Sequence, residues 1–343
     1  MPSPFFALLL LTLIVALSYW LFRPEKGLFW QWRKTRILNQ RVMREDALKH
    51  LHRCERYRRP ATVESLAGAL HVTGNSAASL LADLEANQLI QTKGETFVLT
   101  PQGREYALHI IRSHRLWERY LADETGYEHE SWHDRAELAE HSLTPEEADA
   151  LAANLGNPTH DPHGDPIPTA GGDMVPHGGQ PLNVLPVDVP ARIVHLEDEP
   201  EASYAQLVAE ELSPGMIVRI IESSSSRIRF WADGDEHLLA PVVAANISVV
   251  PLPSVVEPQL ESGERLSALR PGEKGEVINI SGSSRGSERR RFLDLGILPG
   301  TQVSAELDSP SGDPTAYRVR DALIALRKEQ ADMIRIKRVA DDE

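Results

Sequence analysis

At 343 residues the chain can hold two or three compact domains, and a composition of 41% hydrophobic and 25% charged residues excludes a fibrous or disordered protein. Its single cysteine, Cys54, excludes an internal disulfide and a cysteine-rich zinc site, so any metal chemistry must rest on imidazoles and carboxylates. The net charge of −14 is uneven: residues 23–120 carry 17 Lys and Arg against 10 Asp and Glu, net +7, and residues 121–343 carry 19 against 40, net −21, which suggests an anionic partner near the N-terminus.

Residues 5–22, FFALLLLTLIVALSYWLF, form an uncharged apolar run of the length a membrane-spanning helix needs. Trp20 and Phe22 suit an aromatic belt, and Arg23, Lys26, Arg33, Lys34 and Arg36 follow it. By the positive-inside rule, a transmembrane anchor over 1–26 is expected to cross the inner (cytoplasmic) membrane once and leave the bulk of the chain in the cytoplasm. A cleaved signal peptide is the alternative, but the run has no basic n-region. Residues 27–43, with Trp30 and Trp32, read as a juxtamembrane linker helix.

Residues 44–104 read as helix (46–54), helix (62–70, Thr62 as N-cap), helix (73–87) and two short strands around Gly94, the pattern of a winged helix-turn-helix. The third helix offers Asn75, Ser76 and Ser79 to DNA bases, although it also contains Asp83 and Glu85. Phosphate contacts, which dominate affinity, would come from Lys93, Arg53, Arg59 and neighbouring arginines, Arg104 among them. A three-helix bundle with no DNA role is the alternative.

Residues 105–168 carry the chemistry. In HRLWERYLADETGYEHESWHDRAELAEH, residues 114–141, helical spacing sets His114 and Glu118 one turn apart. His133, Glu137, Glu140 and His141 recur at i, i+4, i+7 and i+8. A short connection could fold these stripes face to face, as in metal sites built between helices, while Leu116, Tyr120, Leu121, Ala136 and Leu138 supply a packing surface. The alternative is a solvated face of scattered charges. Residues 157–181 read as a Pro/Gly/His-rich flexible connector whose His160, His163 and His177 would meet metal only in passing, with the linker proper at 169–181. Two stretches of short strands, 182–252 and 265–339, joined by a linker at 253–264, form a degenerate internal repeat at the spacing of a small barrel. No nucleophile or oxyanion motif lies beside the ligand set, so no enzyme is expected.

The EDALKHL helix, the winged helix ending in LTPQG, and the segments HRLWERYL, HDRAELAEH and PHGDPIP together resemble the iron- and manganese-dependent repressors typified by the diphtheria toxin repressor and the manganese transport regulator. The resemblance implies one metal on Asp46, Glu137, Glu140 and His141, and a neighbouring metal on His114, Glu118 and His133. Oxygen and imidazole donors where iron-type members place sulfur favour Mn²⁺ over Fe²⁺, and Lys49 stands where manganese-type members offer a second carboxylate. It also implies a homodimer, with residues 124–155 contributing, that binds palindromic DNA. The second repeat resembles the ferrous-iron-transport A (FeoA) family of SH3-like barrels, through LSALRPGEKGEV and RFLDLGILPGTQV. The first resembles the SH3-like barrel of iron-type repressors, which lends ligands to the ancillary metal; the matching places here hold Pro200 and Ser203, with Glu201 the nearby carboxylate.

The expected architecture is therefore multidomain: an N-terminal transmembrane helix, all-α winged-helix DNA-binding and helical metal-binding dimerisation domains, and two all-β SH3-like barrels. The expected function is a membrane-anchored, Mn²⁺- or Fe²⁺-dependent transcriptional regulator. The rival is a membrane-bound metal sensor or adaptor that has lost sequence-specific DNA binding and contacts a ferrous iron or manganese transporter.

Overall fold

A computed structural model describes residues 28–127, 129–198, 201–253 and 263–339. It divides into two compact units, Met1–Ile111 and Arg112–Glu343.

The first unit opens with α1 (Leu28–Arg56), 29 residues without a glycine or proline to break them. This corrects the expectation of a linker helix over 27–43 followed by a separate helix at 46–54. The expectation of a membrane-anchored chain is also corrected: among the described residues no helix is long and apolar enough to cross a membrane, and residues 5–22 lie outside the described residues.

Next come α2 (Val63–Ala69) and α3 (Gly74–Ala86). Thr62 caps α2 reciprocally with Ser65: Ser65 N donates to Thr62 Oγ1 at 3.1 Å and Thr62 N to Ser65 Oγ at 2.9 Å. Thr62→Ala should cost about 1 kcal/mol in urea unfolding; no change in midpoint would show that the cap contributes nothing. An antiparallel hairpin of β1 (Ile90–Lys93) and β2 (Thr96–Leu99) turns at Gly94, where φ is +67°. Leu48, Leu51, Leu66, Leu81, Leu84 and Ile90 make the core between helices and hairpin.

The long helix α4 (Pro101–Glu124) carries the chain into the second unit. Here α5 (Trp132–Glu140) and α6 (Pro145–Asn154) follow, α6 opening on a Thr144–Glu147 capping box. Residues 157–168 are not the expected loose connector. Asp161 is 4% exposed and its Oδ1 accepts from the backbone N–H of His163 and of Asp165, both at 2.9 Å, closing a tight turn.

Two six-stranded sheets complete the unit. The first comprises β3 (Gln180–Pro181), β4 (Pro190–Leu196), α7 (Glu201–Ala209), β5 (Ile217–Ser223), β6 (Ile228–Ala232), β7 (Asp235–Leu239), α8 (Pro241–Ala244) and β8 (Ile247–Pro251). The second comprises β9 (Glu264–Arg265), β10 (Lys274–Ile280), α9 (Gly286–Asp294), β11 (Gln302–Asp308), β12 (Thr315–Val319), β13 (Ala322–Leu326), α10 (Lys328–Asp332) and β14 (Ile334–Val339). Their strand orders, β3-β8-β4-β5-β6-β7 and β9-β14-β10-β11-β12-β13, are the same when each is counted from its own first strand. The repeat read from sequence is thus a repeat of topology. Each sheet encloses its own core, around Phe230 in the first and around Phe292 and Tyr317 in the second.

Candidate metal centre

Helix α4 presents His114 and Glu118 from successive turns, 8% and 1% exposed. Helix α5 presents His133 and Glu140 and ends with His141 as its C-cap. One Glu118 oxygen lies 3.0 Å from His114 Nε2 and 3.2 Å from His133 Nδ1. His114 Nδ1 lies 2.5 Å from Glu140 Oε2, so His114 bridges two carboxylates from two helices. His141 Nε2 is 3.5 Å from Glu140 Oε1.

Glu137 departs from the expected grouping. Its half-exposed carboxylate stands 3.6 Å from His133 Nε2, towards the His133 edge of the cluster. Leu138 departs too: at 83% exposed it is not part of the packing surface. Asp46 is carried by α1 in the first unit, and the other six expected metal ligands by the second.

Two further donors were not read as ligands from sequence. His163, 2% exposed, places Nδ1 3.9 Å from Glu118 Oε2 and 3.7 Å from Asp198 Oδ2. Among the described residues neither of its ring nitrogens has a hydrogen-bond partner, a costly state for a buried imidazole. Asp198 follows β4 of the first barrel and also lies 3.9 Å from His133 Nδ1. The barrel's contribution to the site is therefore Asp198. Pro200 lies outside the described residues, and Ser203 is half-buried in α7.

Backbone geometry fixes His163. Gly164 has φ +94°, and a Cβ there would stand 2.0 Å from the Val194 carbonyl oxygen, so the turn lies flat on β4 as only glycine permits. Leu196 N donates to His163 O at 2.8 Å, and Arg115 holds the far side of the turn through Asp165. Trp132, His129 and Tyr204 surround the His163 ring, with centroids 5.2–6.4 Å away.

The electrostatics couple these donors to one another. Burial alone would push Glu118 up, but the charges of His114 and His163 and hydrogen bonds from His114 and His133 hold it well below the usual carboxylate range. Hydrogen bonds to Glu118 and Glu137 raise His133 to about 10. Burial first, then the charges of Asp165 and Glu118, push Asp161 well up. Two sets of donors, His114/Glu118/His133 and Glu118/His163/Asp198, each gather within 4.8 Å and share Glu118.

In the first unit, Asn75, Ser76 and Ser79 lie on the exposed face of α3, Lys93 is exposed on the hairpin, and Arg53 and Arg59 are exposed at and beyond the end of α1. The acidic residues of α3 are occupied within the unit: Arg44 Nε donates to Asp83 at 2.6 Å, and Glu85 accepts from the N–H and hydroxyl of Thr92 at 2.9 and 2.7 Å. Arg104, expected on phosphate, is instead paired with Glu55 at 2.6 Å.

Residues 100–169 match the metal-binding and dimerisation domain of iron-dependent repressors, and residues 264–338 match the FeoA domain. The chain is 30% identical over 141 residues to the diphtheria toxin repressor of Corynebacterium glutamicum, covering 39% of this chain and 62% of that protein. It is 31% identical over 149 residues to the iron-dependent repressor IdeR of Mycobacterium tuberculosis, covering 43% and 62%. It thus spans somewhat under two thirds of the curated relatives it matches. Among solved structures, a manganese-dependent transcriptional repressor in complex with manganese superposes with TM-score 0.55 at 26% identity, over 61% of this chain and 100% of that one.

Proposed function

We propose, from the premise that residues 100–169 belong to the metal-binding and dimerisation domain of iron-dependent repressors and residues 264–338 to the FeoA domain, that the chain is a Mn²⁺- or Fe²⁺-dependent transcriptional regulator. The observation that carries this reading is the buried His163 ring, without a hydrogen-bond partner among the described residues and set within 3.9 Å of Glu118 and Asp198. Imidazole nitrogens and carboxylate oxygens without thiolate suit borderline and hard divalent ions, which favours Mn²⁺.

Bound there, the cation supplies a compact positive charge. The residues do the rest: Glu118 joins both donor sets, His114 ties α4 to α5 through Glu140, and Asp198 ties the first barrel to both helices. Metal binding at neutral pH must displace the His133 proton. By resemblance to the repressors, Asp46 is proposed to reach the same cation as Glu140 and His141, so that metal orders a homodimer for DNA binding. The acidic residues of α3 are engaged within the unit, Asp83 by Arg44 and Glu85 by Thr92, which supports this over the adaptor reading.

Gel-shift titration of the chain against genomic fragments, with and without Mn²⁺, tests the reading. Retention that requires Mn²⁺ and steepens as salt is lowered is expected; equal retention after chelation overturns it. Glu140→Ala should abolish tight Mn²⁺ binding in calorimetry, and unchanged affinity would remove Glu140 from the site.

A further inference from the structure

A cavity of about 820 Å³ lies in the second unit, where the end of α4 and both barrels meet, and none of the metal donors named above lines it. Five arginines line it against three aspartates, within a part of the chain whose overall charge is strongly negative. Two of these arginines are neutralised, Arg119 by Asp123 and Arg335 by Asp235, each at 2.6 Å, while Asp161 accepts from its own turn. Arg289 donates to the carbonyls of Ile280 and Ser281, which fixes its position without neutralising its charge.

Arg285 is different. Among the described residues its guanidinium makes no hydrogen bond or ion pair, and burial first, then the charge of Arg119, lowers its pKa from the ordinary guanidinium value. It is the N-cap of α9, and no side chain caps that helix. A nine-residue helix thus opens into the cavity with its positive end beside Arg285 and, one turn on, Arg289. Among the described residues one more lining group lacks a partner, Ser284 Oγ, on a residue 1% exposed. The neighbouring wall is apolar, formed by Pro214, Met216, Ile217 and Trp231.

The frame is rigid. Gly286, at φ +55°, seats α9 so closely on α4 that a Cβ would stand 2.7 Å from the carbonyl oxygens of Ala122 and Thr125. Arg290 Nη2 donates to Asp123 O at 2.8 Å and pairs with Glu124 at 3.1 Å.

We propose that this cavity is a binding site for a dianionic phosphoryl group, free or as the monoester of a small organic molecule, held by the α9 N-terminus, Arg285, Arg289 and Ser284. The volume leaves room for an organic part against Trp231 and Met216. Because Arg119 and Asp123 belong to the helix that carries Glu118, an occupant bridges the FeoA-type barrel to the metal-bearing helix.

The test is isothermal titration of the full chain, freed of metal, with inorganic phosphate and with phenyl phosphate at constant ionic strength. Saturable binding near one equivalent is expected. Arg285→Gln should weaken it about tenfold or more, the loss of a charge-assisted bond, while Arg285→Lys keeps most of it and Mn²⁺ binding is retained in both. Phenyl phosphate binding tighter than phosphate identifies an ester, and equal affinity identifies the free anion. No saturable binding of either probe, or equal affinity in wild type and a folded Arg285→Gln, overturns the proposal. Because the readout is taken without metal or DNA, its failure is distinct from failure of the regulator reading.

Discussion

Replacing Glu118 with glutamine is expected to weaken Mn²⁺ binding by about 100-fold or more and to flatten the pH dependence of the metal-free protein's stability. Glu118 is 1% exposed and has three imidazoles around it, His114 and His133 within 3.2 Å and His163 at 3.9 Å. Glutamine keeps the shape and removes the charge. It subtracts an anionic ligand common to both donor sets, a larger loss than the 10–100-fold typical of a residue that only orients a ligand. In the metal-free protein the same carboxylate holds the His133 proton. Because the folded pKa of His133 is raised to about 10, its contribution is full below about pH 6.5, the unfolded value, and is lost as pH rises through 10. With His133 44% exposed, solvent screening reduces that contribution to about 1–2 kcal/mol. The melting temperature of metal-free wild type should therefore fall from pH 7 to pH 10, and that of Glu118→Gln should fall less. Calorimetric affinity within threefold of wild type, or identical pH slopes, would show that Glu118 is not the shared ligand.

The half of this site that lies on helices was legible because helical periodicity converts sequence spacing into direction. His114 and Glu118 at i, i+4, and His133 and Glu140 at i, i+7, share faces whichever way the helices later pack. His163 was hidden by its surroundings: prolines and glycines read as a connector, yet Asp161 closes the turn and Gly164 lays it on β4. The Asp-x-His-Gly-Asp pattern was the available signal, since an aspartate two residues before a buried position makes a side-chain-capped turn. Asp198 had no local signal, because its place depends on how the first barrel meets α4. The two β-rich repeats were legible through strand-and-turn rhythm, and their common strand order agrees. The membrane reading rested on one apolar run and on no neighbouring element that could have checked it.

Gly164→Ala is expected to destabilise the second unit by about 3 kcal/mol and to lower Mn²⁺ affinity about tenfold or more. The native φ of +94° strains any L side chain by about 1–3 kcal/mol. The new methyl would also enter the space of the Val194 carbonyl, at 2.0 Å, and of His195 Cα, at 2.7 Å. Backbone cannot yield as a flexible side-chain tip does, so the turn must lift, stretching the Leu196 N to His163 O bond and moving the imidazole from Asp198. Gly178→Ala provides the comparison, since φ is +67° but nothing lies within 4 Å of the added methyl. It should show strain alone, about 1 kcal/mol, with unchanged metal binding. Equal effects of the two variants on calorimetric Mn²⁺ affinity would show that the turn does not position His163.

The apolar material of the second unit is unequally shared. Among the described residues the barrels bury clusters of eighteen and fourteen hydrophobic residues, while the helical segment that bears the donors has Leu116, Ala148, Ala152 and Ile167 in one cluster and Leu121, Ala122 and Trp132 in another. Hydrophobic burial contributes about 1.5–3 kcal/mol for each large side chain, so this segment holds the smallest reserve and opens before the barrels melt. Mass action then makes free metal a determinant of its persistence: a cation at a hundred times its dissociation constant adds about 2.7 kcal/mol. Starved of metal, the chain would keep two intact barrels behind a fraying helical segment, and in a cell the first protease cut would fall in that segment.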